Sequence, residues 1–190
     1  MRAKTSRVDV LANSAAWRRA VPGAAGLVRR AARAAVAGVD AGTAAAGAVV
    51  VMLADDATLR RLNRDYRGKD KPTNVLAFPL AFPLAGRGGK ATPGNMVLGD
   101  LLLGDVVLAL ETVQAEAAAQ GKSVGDHLAH LVVHGVLHLL GHDHVRATAA
   151  ARMEALERRI LAAMGIADPY RVPRRSSGRA PRRRVNGRAA

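Results

Sequence analysis

Histidines 134, 138 and 144 stand in the segment H-G-V-L-H-L-L-G-H-D-H, a combination of residue type and spacing that suits a metal ion. On a helix of 3.6 residues per turn, His134 and His138 project from one face a turn apart, near enough to clamp one ion. Gly141, just beyond them, can adopt a left-handed conformation that lets the chain leave the helix and swing a third imidazole back. The spacing favours His144 for that place, and His142, two residues earlier, competes for it. Three imidazoles with one open position suit a catalytic zinc, whose bound water ionises near pH 7. Imidazoles also accept nickel, copper and cobalt, so spacing alone does not name the metal. All six histidines fall between 127 and 144. His127 and His130 continue the stripe toward the N-terminus, as cleft-lining or supporting groups or as plain structural residues. Asp143 is positioned to orient a ligand or to cap the following helix.

Every metal and turn position of the H-E-x-x-H-x-x-G-x-x-H pattern of zinc peptidases is matched, except that Gly135 replaces the glutamate. That glutamate is the peptidases' general base, and glycine can neither take nor deliver a proton. The metal positions therefore read as hydrolase-like, while Gly135 argues against peptide cleavage.

Residues 66–79 read Y-R-G-K-D-K-P-T-N-V-L-A-F-P and place Arg67, Lys69 and Lys71 in a loop leading to a short apolar run. Three cations in five residues make a candidate anion site, partly offset by Asp70. Arginine matches phosphate oxygens in pairs, whereas lysine supplies a less directional charge. Lys69 and Lys71 are the candidate substrate-binding residues. A phosphate group beside the ion, with Arg67 stabilising the charge that develops on its oxygens, is the chemistry these cations suit.

Together these segments resemble the YbeY family of bacterial endoribonucleases, the rRNA maturation RNases. L-G-D at 103–105, A-H-L-V-V at 129–133, M-E-A-L-E at 153–157 and the stretch 165–170 extend the resemblance over most of residues 47–170. It implies a zincin-like fold and a single-strand-specific, metal-dependent endoribonuclease. The implied role is to mature the 3′ end of 16S rRNA and serve ribosome quality control. It also implies one Zn2+ held by His134, His138 and His144, with Arg67 as the catalytic cation of the cleft. Single-stranded RNA, the 16S rRNA precursor and the small ribosomal subunit are the implied partners; with RNA as substrate, zinc-activated water is the expected nucleophile on its phosphate, and the RNA's own 2′-hydroxyl is the alternative. Two positions depart from the family pattern: His142 stands where tyrosine is usual, and Ala77 where serine is usual. Two rival functions share the same residues: a zinc peptidase-like hydrolase with an atypical base, and a non-catalytic, zinc-containing rRNA-binding assembly factor.

The elements that must position these residues follow from the hydrophobic pattern. Strands are expected over 8–11, 48–54 and 75–78, and one or two buried strands over 96–107, where L-G-D occurs at 98 and again at 103. Helices are expected over 24–37, from a cap at Asp55 or Asp56 through Leu59 and Leu62, and over 108–120, 124–140 and 146–164. A Gly- and Pro-rich connection fills 80–95. The fold class is α+β: a small mixed sheet flanked by helices, with the metal site on a central helix and the turn after it.

The chain has 190 residues, of which 49% are hydrophobic and 3% aromatic. That suffices for one core built from Leu, Val and Ala, with little material for a base-stacking platform. A single metal-dependent endoribonuclease domain is expected over 1–170. The formal charge is +14, and residues 171–190 hold eight arginines and no acid. That tail is expected to be disordered when free and to hold RNA through salt-sensitive phosphate contacts. The absence of cysteine excludes disulfides and thiolate ligands. The polar start lacks an apolar signal region, and the apolar run at 44–54 is shorter than the roughly 20 residues a membrane span needs. A cytoplasmic protein without membrane partners is the expectation.

Overall fold

Val8–Leu11 forms β1, Ala15–Ala20 α1, Ala24–Gly38 α2, Ala48–Ala54 β2 and Asp56–Arg67 α3. Val75–Pro79 forms β3, Leu102–Ala109 β4, Leu110–Ala119 α4, Val124–Leu139 α5 and Ala147–Ala163 α6. The computed structural model describes residues 7–12, 14–39, 47–80 and 102–171. The expected connection beyond Leu80, the first L-G-D at 98, and the arginine tail beyond Arg171 lie outside the described residues.

Four strands make one sheet in the order β1-β2-β4-β3, with β1, β2 and β4 parallel and β3 antiparallel to β4. Pro79 sits at the end of the edge strand β3, where its missing N–H costs no internal ladder bond. In β2, Val49, Val51 and Leu53 alternate inward onto the main core. The central strand β4 is apolar on both faces. Val106 and Leu108 join the main core, while Val107 and Ala109 meet Leu59 of α3 and Leu76 of β3 on the other face. Helices α2 and α5 pack together, and α5 lies across β3 and β4. This is the expected α+β architecture, with the histidine helix at its centre. No described helix is long and apolar enough to cross a membrane.

Two differences from the expected elements have physical reasons. Strand β4 runs two residues further than expected, because its ladder to β2 continues through Leu108 opposite Leu53 and Ala109 opposite Ala54. The short α1 has too few turns for a periodic stripe. It is held instead by the Ser14 cap and by Trp17, whose buried indole N–H donates to the Ala54 carbonyl at 2.7 Å. The L-G-D unit at 103–105 also has a local cause. The register passes from Ala48 opposite Leu102 to Val49 opposite Gly104, so Leu103 is an extra residue in β4. Gly104 has φ +140°, and a Cβ there would lie 2.3 Å from the Phe78 carbonyl oxygen, so only glycine lets β3 come this close.

Candidate metal centre

Helix α5 begins at Ser123, whose side chain accepts from the Asp126 amide at 2.9 Å. It is anchored by the fully buried Leu128, Val132, Val133, Val136 and Leu137. His134 and His138 therefore emerge on a rigid element, half-buried. Past Leu140, Gly141 takes φ +86°, its amide donating to His138 O at 3.0 Å and the His142 amide to Leu137 O at 3.0 Å. These two bonds form a Schellman cap. The cap turns the chain back, so that the His144 ring lies 5.4 Å from the His134 ring and 5.0 Å from the His138 ring.

One ligand nitrogen from each of His134, His138 and His144 falls within 4.8 Å of the other two. His142, the competitor, is outside this group; its backbone serves the helix cap. His134 Nε2 and His138 Nε2 face each other at 3.1 Å. That separation fits two ligands of one ion, since tetrahedral bonds of about 2.0–2.1 Å put donor nitrogens roughly 3.3 Å apart. Burial pushes the His138 pKa down, as do the nearby His134 and His144 rings and Arg67, and a hydrogen bond with the His142 backbone opposes them. A neutral imidazole is the form that binds a metal.

Behind the triad lie carboxylates whose part the sequence reading missed. Fully buried Glu157 of α6 accepts from His134 Nδ1 at 2.8 Å, from His130 Nε2 at 2.9 Å and from the Tyr170 hydroxyl. Burial alone would raise its pKa, but these hydrogen bonds outweigh it and hold the group at about 2. Glu116 of α4 accepts from His127 Nε2 at 2.8 Å, and from Asn74 Nδ2 at 3.1 Å and 2.9 Å. His127 and His130 thus brace the helix from behind the cleft. Asp143 orients no ligand; its side chain accepts from the Val145 amide in the turn before α6.

The histidines open into a cleft of about 440 Å³ lined also by Arg67, Thr73, Asn74, Val75, Ala77, Pro79 and Gly135. Arg67 is the last residue of α3, which is capped by Asp55 accepting from Thr58 N at 2.8 Å. The chain leaves α3 at Gly68, and buried Asn63 fixes the loop, its side-chain amide donating to Lys71 O at 2.8 Å and its backbone carbonyl accepting from Lys69 N at 3.2 Å. Arg60 holds Asp70 with two bonds of 2.8 and 2.9 Å. Lys69 and Lys71 are exposed on this loop and are not among the residues lining the cleft. Ala77 does line it, so the hydroxyl that this chain lacks would have faced the site.

Gly135 has a steric reason as well as a chemical one. A Cβ there would meet Val106 Cγ1 at 2.7 Å, Val106 Cγ2 at 3.2 Å and Val75 Cγ2 at 3.5 Å. A glutamate would be driven against the sheet, so the peptidase base has no room here. Gly135→Ala is expected to lower stability by about 1–3 kcal/mol through overpacking, read as a shift of the urea midpoint. Adding Val106→Ala should recover part of that loss; a double variant as unstable as the summed single changes would contradict the packing argument.

Residues 23–165 match the model of the family described as endoribonuclease YbeY. A protein of that description from Paramagnetospirillum magneticum is 52% identical over 156 residues, covering 82% of this chain and 90% of its own. Another from Azorhizobium caulinodans is 47% identical over 169 residues, covering 87% and 97%. A third from Alkalilimnicola ehrlichii is 51% identical over 161 residues, covering 83% and 87%.

Proposed function

The chain belongs to the YbeY family of endoribonucleases, whose zincin-like fold it has, and from that premise we propose a zinc-dependent hydrolase that cuts single-stranded RNA. Its proposed substrate is the 16S rRNA precursor on the small ribosomal subunit, whose 3′ end it matures in the cytoplasm, with a part in ribosome quality control. Residues 1–170 are its catalytic domain, and the arginines of 171–190 add phosphate contacts. The observation that carries this reading is the composition of the cleft. Three imidazoles and Arg67 meet there, with no carboxylate among the described lining residues, which suits a phosphodiester and leaves peptide cleavage without a base.

His134, His138 and His144 hold the ion. When bound, it supplies a Lewis acid and a water ionised near neutral pH. Arg67 pairs its planar guanidinium with the non-bridging oxygens and strengthens its hold as negative charge grows on them. Thr73 and Asn74 place a hydroxyl and an amide on the cleft wall. Asn74 is kept in place by Glu116 and by its own Oδ1 accepting from Val75 N at 2.7 Å. Lys69 and Lys71, outside the cleft, guide the strand by charge, an attraction that weakens as salt rises.

Incubating the zinc-loaded protein with one RNA sequence in single- and double-stranded form, and with a peptide library, tests the reading. Cleavage of the single strand alone, leaving a 5′-phosphate and a 3′-hydroxyl, is expected. Peptide cleavage without RNA cleavage would overturn it, and a 2′,3′-cyclic phosphate would reassign the attack to the RNA's own hydroxyl.

A further inference from the structure

Helix α6 turns Met153, Glu157, Ile160 and Leu161 toward the protein interior. Three of these are apolar, and packing would be served by a fourth. Glu157 is instead a carboxylate with no exposure, and a buried charge persists only where donors satisfy it. Its donors divide unevenly between its two oxygens. Among the described residues, Oε1 takes only the His134 Nδ1 proton, while Oε2 takes both His130 Nε2 and the Tyr170 hydroxyl.

Tyr170 is itself clamped. Its amide donates to Asp168 Oδ1 at 2.9 Å, Lys122 donates to the Pro169 carbonyl, and the Arg158 guanidinium lies 4.8 Å from the centre of its ring. Arg158 also pairs with Asp168 at 3.5 Å. The segment after α6 thus holds one hydroxyl on the carboxylate oxygen that His134 does not use.

We propose that Glu157 is the positioning residue of the metal centre: it keeps the His134 proton on Nδ1 and leaves Nε2 bare toward His138, while His130 and Tyr170 hold the carboxylate against that ring. The inference rests on the reading of the three histidines as a metal site. Its chemistry is visible in what an amide would do. Glutamine has one acceptor oxygen and one donor nitrogen. With the oxygen toward His130 and Tyr170, its NH2 faces His134 Nδ1 and forces the proton onto Nε2, the nitrogen meant for the ion. With the oxygen toward His134, its NH2 confronts His130, which must change tautomer. Either arrangement stops one acid from serving both rings.

The test compares wild type, Glu157→Gln and Tyr170→Phe, after thermal unfolding has shown which are folded. Zinc affinity is read by competition with a chromophoric chelator, and the His134 tautomer of the metal-free protein from ¹⁵N chemical shifts. Wild type is expected to bind one zinc and to carry the proton on His134 Nδ1. Glu157→Gln is expected to bind zinc about 10- to 100-fold more weakly, with its His134 population shifted toward the Nε2 proton. Tyr170→Phe, which keeps the carboxylate and removes one donor, should lose affinity in the same direction by a smaller factor. A folded Glu157→Gln with wild-type affinity and an unchanged tautomer would overturn the inference, even if its melting temperature fell. Should Glu157→Gln fail to fold, Tyr170→Phe decides by the same readouts. Failure of wild type to bind zinc would instead sink the metal-site reading, and the inference with it.

Discussion

His138→Ala is expected to remove both the bound ion and RNA cleavage while the protein stays folded. His138 Nε2 is the atom that faces His134 Nε2 at 3.1 Å, and its ring lies 5.0 Å from that of His144, so its loss leaves two imidazoles that no longer surround a point. Catalytic zinc sites use three protein ligands and one open position; with two, the ion exchanges into solvent. Cleavage should then fall to the level of wild type under chelator. The fold should survive, because α5 is held by Leu128, Val132, Val136 and Leu137, and His138 is only half-buried at the cleft. Zinc content by atomic spectroscopy, circular dichroism and RNA cleavage on one preparation check all three. A variant that loses zinc yet keeps its fold and its ribosomal phenotype would show that the metal is not catalytic.

Arg67→Ala is expected to do the opposite to the metal: zinc stays at wild-type stoichiometry while cleavage drops about 10²–10³-fold, the usual cost of losing one charge-stabilising donor, about 3–4 kcal/mol. Arg67 shares the cleft with the three histidines but is not one of the candidate ligands. It is exposed at the last turn of α3, so its truncation should barely move stability. Arg67→Lys should recover only part of the loss, since a point charge cannot pair two phosphate oxygens as the planar fork does. The comparison separates Arg67 from Lys69 and Lys71. Changing either lysine should weaken RNA binding and lessen its salt dependence without a comparable fall in turnover.

Much of this site was legible in the chain because its parts are local. His134 and His138 share a helix, and Gly141 and His144 follow within six residues of His138, so helical geometry and one left-handed turn nearly specify their meeting. Spacing favoured His144 over His142, but what takes His142 out of the site was not legible. It depends on the cap after α5, where the His142 amide bonds back to Leu137. Long-range partners were equally hidden: Glu157 lies 23 residues from His134 and Glu116 lies 42 from Asn74. A signal for Glu157 did exist, an acid on the apolar stripe of α6 between Met153 and Ile160. Gly135 shows the converse. Its type removed a base from the reading, yet only the sheet beneath it, at Val106, reveals why no larger residue fits. In the fold, β1 and β2 stand at the expected ranges, 8–11 and 48–54, whereas the end of β4 was set by pairing with β2, which no local pattern announces.

The central claim is that one ion at the histidine triad is required for RNA cleavage. The most direct measurement determines zinc per chain in the purified protein and assays single-stranded RNA cleavage before chelation, after it, and after zinc is restored. One zinc per chain, with activity lost on chelation and regained with the metal, is the predicted result. Undiminished cleavage by protein shown to be free of metal would contradict the account.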